Sequence, residues 1–179
     1  MKDLYNELFK ACEDGKKELA KLLIEAGADV NAADEYFGIT ALMGASYNGQ
    51  KEIAEFLIDK GANVNATNKG GWTSLMEATT HGHTEVAKLL IDNGADVNAV
   101  DEDGSTALIR ASKYGHTEIV NLLIEKGANI NKNYLKLAKI KIKTEREFKA
   151  WVDLVLWRAK EFQDIDENLI HSPIYLKEK

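Results

Sequence analysis

Apolar side chains recur along this chain in two alternating patterns, one narrow and one broad, each closed by a glycine. Between Thr73 and Gly82 the positions Leu75, Met76, Ala78 and Thr79 form one narrow face at helical spacing. Thr73 stands ahead of them as a natural N-cap, its hydroxyl placed to take a free amide of the first turn, and His81-Gly82 closes the segment near its C′ position. From Thr84 onward Val86, Ala87, Leu89, Leu90 and Ile91 make a broader stripe that ends at Gly94. The pattern predicts two short antiparallel helices, which small Ala78 allows to approach closely. The flanking segments 62–72 and 95–105 carry turn residues such as Asn68, Gly70, Gly71, Asp101 and Gly104 and are expected to form protruding hairpin-like loops.

This unit has copies. GADVNA at 27–32 returns as GANVNA at 61–66, GADVNA at 94–99 and GANIN at 127–131, with glycine spacings of 34, 33 and 33. Thr40, Thr73 and Thr106, in ITAL, WTSL and STAL, follow one another at intervals of 33, each 21 residues ahead of its glycine. Two markers in phase define a repeat. A single helix pair cannot enclose its own apolar face, so neighbouring units must stack and share one elongated core.

The pattern resembles the ankyrin repeat over about residues 1–131. Asp101, Gly104, Thr106, Leu108, Ala111, Gly115, His116, Glu118, Ile119, Leu122, Leu123 and Gly127 through Asn131 fill its framework almost completely. The resemblance implies an all-α solenoid of stacked helix-turn-helix units with protruding hairpin loops. The expected units are 1–33, 34–66, 67–99 and 100–131, followed by a helical C-terminal capping segment and tail over 132–179. Two departures stand out. Where the family usually has Pro-Leu-His after the threonine, this chain has Ala41 and Met43, Ser74 and Met76, and Ala107 and Ile109. A histidine hydrogen bond to the threonine is therefore expected to be replaced by burial of an apolar side chain, an exchange of comparable or larger worth that the fold should survive. The loop Asp34-Glu35-Tyr36-Phe37-Gly38 is also one residue longer than its counterparts and has an aromatic tip.

The ends differ from the middle. The first unit lacks the Gly-x-Thr loop and carries Lys10, Glu13, Asp14, Lys16, Lys17 and Lys21 in its outward slots, the pattern of a polar terminal cap. Beyond 131, Thr144 to Glu147 has capping-box spacing ahead of Phe148, Trp151, Val152, Val155 and Ala159, which share one helical face. Leu135–Lys143 alternates like a strand but also suits a degenerate first helix, the preferred reading. Residues 163–179, with the chain's single proline, Pro173, are expected to wrap back as an irregular tail.

Composition places the chain among ordinary globular proteins, 45% apolar and 29% charged. One cysteine, Cys12, excludes an internal disulfide framework and reads as a small core residue. The opening segment lacks the apolar run of a secretory signal and no stretch is long enough to cross a bilayer, so a cytoplasmic location is expected, and no membrane insertion. The charge is uneven: residues 1–131 carry 12 basic and 21 acidic side chains, a balance of −9, whereas 132–179 carry 11 and 8, a balance of +3. The lysines from Lys132 to Lys149 have the look of a nucleic-acid or anionic-membrane footprint, but the solvated face of an amphipathic cap explains them more simply, and no nucleic acid is expected.

Catalytic chemistry finds little footing. His81, His83, His116 and His171 are scattered, with His83 and His116 in the family's Gly-His framework slot. Cys12 has no neighbouring histidine, and no P-loop, dinucleotide fingerprint or HExxH occurs. No catalytic residue, cofactor or metal site is expected. Asp29, Asn31, Asp96 and Asn98 are expected to tie loops to the neighbouring unit.

The resemblance implies a protein-binding scaffold, and the stacking argument leads to the same face. Framework residues are consumed by stacking, which leaves loop tips and exposed first-helix positions aligned along a concave strip. These are Tyr36, Phe37, Ile39 and Tyr47 in the second unit, Lys69, Trp72, Glu77 and His81 in the third, and Asp103, Arg110, Lys113 and Tyr114 in the fourth. Large rigid aromatics and arginine are the usual interface hot spots. The expectation is a monomeric, non-catalytic adaptor or inhibitor that grips a protein partner there, centred on Tyr36, Phe37, Ile39 and Trp72. Some of these aromatics have the alternative role of bracing neighbouring loops or meeting the terminal tail. A second reading makes the C-terminal segment, with Trp151, Trp157 and Phe162, the active element of a regulatory protein.

Overall fold

A computed structural model describes residues 2–129. Among the described residues eight helices follow one another in pairs: α1 (Lys2–Glu13) with α2 (Lys17–Glu25), α3 (Ala41–Tyr47) with α4 (Lys51–Asp59), α5 (Ser74–Thr80) with α6 (Thr84–Asp92), and α7 (Ala107–Tyr114) with α8 (Thr117–Glu125). All belong to one unit, Met1–Ala128. Among the described residues there is no strand, only single antiparallel bridges that pinch the loops, Ala33 with Thr40 and Thr67 with Thr73. The first helices pack in chain order, α1 on α3 on α5 on α7, the second helices form a parallel row, and each first helix packs on its own second helix. The described residues form a stacked helical solenoid. Its C-terminal cap, the strand-or-helix segment, the tail and the lysine cluster expected from sequence lie outside the described residues.

The repeat markers explain the helix ends. The hydroxyls of Thr40, Thr73 and Thr106 accept the amides of Met43, Met76 and Ile109 at 3.2–3.3 Å, each an N-cap three residues ahead. In the second unit the exchange is reciprocal, because the Thr40 amide donates to the Met43 sulfur at 3.5 Å, so sulfur partly takes over the histidine's role there. Met43, Met76 and Ile109 are all buried. Leu8, Leu42, Leu75 and Leu108 in the first helices and Leu57, Leu90 and Leu123 in the second lie at the centre of the shared core, all fully enclosed, with Cys12 among them.

Units are also tied by polar bonds at repeat spacing. The Asn31 and Asn65 side chains each donate to the carbonyl of the next unit's glycine, Gly61 and Gly94, and accept an amide two residues on, from Asn63 and Asp96. Asn98 donates likewise to Gly127. Asp29 and Asp96 act locally instead, each accepting the amide two residues ahead within its own turn. On α2 of the first unit Leu19 and Leu22 are exposed, whereas Ile53, Val86 and Ile119, which match Leu19 in register, are buried. The terminal unit is thus polar only in part.

Candidate functional site

The loop tips form a continuous edge. The Phe37 carbonyl accepts the Lys69 amide at 2.8 Å, and the Gly70 carbonyl accepts the Glu102 amide at 3.1 Å, so each tip is hydrogen-bonded to the next. Gly71 makes the second approach possible: its φ is +76°, and a Cβ there would stand 2.9 Å from the Asp101 Cα. Each loop is drawn tight by the polar residue that opens it. The Asp34 carboxylate accepts the amides of Tyr36, Phe37 and Ile39, Asn68 accepts those of Gly70 and Trp72, and Asp101 those of Asp103 and Ser105. Desolvation of the Asp34 carboxylate opposes its charge, but the three amides and nearby Lys69 outweigh it and hold its pKa below the usual aspartate value.

On this edge the two aromatic tips have different surroundings. Tyr36 is 78% and Phe37 66% exposed, and Tyr47, at the end of α3, is 50% exposed. Behind them the Tyr5 hydroxyl donates to the Ile39 carbonyl at 2.8 Å, and Ile39 is half-buried. Burial and the Asp34 charge push the Tyr5 phenol up to about 12, so it remains a donor throughout the neutral range. Trp72 is half-buried and lies under the Arg110 guanidinium, whose carbon sits 3.3 Å from the ring centroid. Arg110 in turn is buried and ion-paired with the buried carboxylate of Asp101. The sequence-based expectation of an exposed Arg110 is therefore not met, because the Trp72 ring and the fourth loop enclose it.

The remaining positions are spread along the same rows. Lys69 is exposed and its ammonium donates to the Glu35 carbonyl at 2.8 Å, which fastens the third loop to the second. His81 is exposed, with its ring centroid 4.1 Å from that of Tyr47. Asp103 is exposed at the fourth tip, and Lys113 lies 5.6 Å over the ring of Tyr114 at the end of α7. Tyr5 and Asp34, which hold the second loop, and Asp101 as the partner of Arg110 are the residues that the repeat pattern did not single out for this face.

A family profile described as ankyrin repeats (3 copies) matches residues 8–101 and 67–134, together well over half of the chain. The chain belongs to the ankyrin repeat family. Ankyrin repeats are generally protein–protein interaction modules and typically non-catalytic. No curated protein sequence matches this chain. In this ankyrin stack the framework histidines bridge units: ring Nε2 of His83 bonds the Tyr47 carbonyl at 2.9 Å and that of His116 the Thr80 carbonyl at 3.1 Å. Both rings are occupied in positioning neighbouring helices. Among the described residues no three His, Cys, Asp or Glu side chains gather as a metal site, and no helix is long and apolar enough to cross a membrane. Cys12 is buried, and desolvation pushes its thiol up to about 12, far from the thiolate that nucleophilic or redox chemistry needs.

Proposed function

We propose that this ankyrin repeat protein is a non-catalytic adaptor or inhibitor, a cytoplasmic monomer that grips a protein partner on the face made by its loop tips and first helices. The observation that carries this reading is the exposure of Tyr36, Phe37 and Tyr47 together on the second unit, at a loop tip that is hydrogen-bonded within itself and to the next. A large aromatic held out into water by a hydrogen-bonded loop gives up little conformational freedom on binding and buries much area, which is what interface hot spots require. The Asp34 turn, the Tyr5 bond and the Lys69 clasp supply that rigidity. Trp72 and Arg110 belong to the scaffold under the strip, with Lys69, Glu77, His81, Asp103, Lys113 and Tyr114 lining its further extent.

The test is affinity capture from the native cell, with the full chain and its Tyr36→Ala/Phe37→Ala variant as baits, followed by mass spectrometry. The expected result is one or more proteins retained by the wild-type chain and lost with the variant, while the thermal melt is unchanged. Equal retention by both baits contradicts this placement of the face.

A further inference from the structure

One row of the first helices has an unsatisfied acid at its middle. Lys10, Gly44, Glu77 and Arg110 occupy the same position in successive units. Gly44 presents no side chain next to Glu77, and a Cβ there would meet the Phe9 ring at 2.9 Å. On the other side Arg110 is already bound to Asp101 and stacked on Trp72. Glu77 itself is half-buried, and its carboxylate makes no hydrogen bond and no ion pair within contact distance among the described residues. One turn further along α5 the buried Thr80 hydroxyl also has no partner. A carboxylate partly removed from water without a donor is unfavourable, and the attraction of His81 and Arg110 only partly offsets the desolvation that raises its pKa.

Building on the proposed function, we propose that Glu77 is the anchor for a lysine or arginine side chain of the protein partner, carried on a segment whose flanking large apolar residues pack on Tyr36, Phe37 and Tyr47. The charge balance of the face selects this occupant. Asp101 and Arg110 neutralise each other and Lys69 lies against Asp34, which leaves Glu77, Glu102 and Asp103 against Lys113. An acidic segment would meet the Glu77 carboxylate with only the His81 ring beside it and Lys113 one unit away, because Arg110 is buried and paired, whereas a cationic one is steered in and supplies the missing donor.

A randomised peptide library selected on the full chain tests this, with the selected peptides then titrated against variants. The expected peptides carry arginine or lysine beside a large apolar residue and bind Glu77→Gln at least about tenfold more weakly, with an unchanged thermal melt. Replacing the peptide's base with citrulline or norleucine is expected to cost a similar factor on the wild-type chain and nothing further on Glu77→Gln, a readout that does not depend on how the variant folds. Selection of acidic or uncharged peptides, or equal binding to Glu77→Gln, overturns the cationic assignment. If such peptides still lose affinity with Tyr36→Ala/Phe37→Ala, the binding face stands and only the role of Glu77 fails. Binders indifferent to both variants, or a library that yields none, contradict the face as well.

Discussion

The second and third loops are built alike and end differently. Both open with a polar side chain that gathers its own loop amides, both carry aromatic residues, and both are hydrogen-bonded to the next tip. Yet Tyr36 and Phe37 stand in solvent, while Trp72 is covered. Tyr36 and Phe37 hold the outer-tip register of Lys69 and Gly70, whereas Trp72 holds the inner position of half-buried Ile39 and is met there by a side chain of the next unit. Ile39 and Trp72 match in register, and so do the residues that follow them in the next unit, Glu77 and Arg110. An arginine beside a tryptophan face makes a cation–π stack, and Asp101 completes it. A glutamate beside an isoleucine makes nothing comparable. Place in the loop and this stack together thus separate Trp72, which braces the fourth unit, from Tyr36 and Phe37, which stand exposed at the outer tip.

That contrast can be broken from the third loop first. Asp101→Ala removes the carboxylate that both pairs Arg110 and ties the fourth loop, leaving a buried guanidinium uncompensated; a loss of about 3–5 kcal/mol in chemical denaturation is expected. Trp72→Ala strips the other face of the same guanidinium and is expected to cost about 2 kcal/mol. Partner capture by the folded fraction should survive it. Capture lost without any fall in melting temperature would place Trp72 in the contact instead.

The second loop is expected to respond in the opposite way. Tyr36→Ala/Phe37→Ala should leave stability within about 0.5 kcal/mol while weakening a partner about tenfold or more. Tyr5→Phe should loosen the tip without touching a partner, costing about 1 kcal/mol for the lost bond to Ile39, measured by calorimetry. The smallest effect is a pH dependence. The Asp34 pKa is lowered on folding, so its contribution is fully present above the usual aspartate value and is lost as pH falls through the depressed one. Amide exchange at Tyr36, Phe37 and Ile39 should accelerate over that acidic window, and Asp34→Asn should abolish the dependence.

The framework was legible in the chain because it is local and repeated. Thr73 capping Met76, Gly94 after a broad apolar stripe, and the asparagines at repeat spacing each involve neighbours in sequence or one fixed period, and periodicity exposes both. Register also fixed which loop and first-helix positions share one row, but not which of their side chains are exposed. What periodicity does not carry is the pairing of side chains that break the repeat. Arg110 shares its register with Lys10 and Glu77, so its position reads as exposed, and only a tryptophan in the preceding unit together with an aspartate nine residues back encloses it. Leu19 and Leu22 show the converse: their pattern is that of buried residues, and they are exposed because no unit precedes them in the described stack. Tyr5 reaches the second loop across 34 residues, a contact with no counterpart among the other described units to betray it.

The most direct measurement is hydrogen–deuterium exchange of the full chain with and without a protein captured from the native cell. Slowed exchange over 34–39, extending to the ends of α3 and α5 with little change on α4, α6 and α8, is the expected footprint. Protection confined to the second helices, or to residues beyond 131, would contradict recognition by the aromatic second loop.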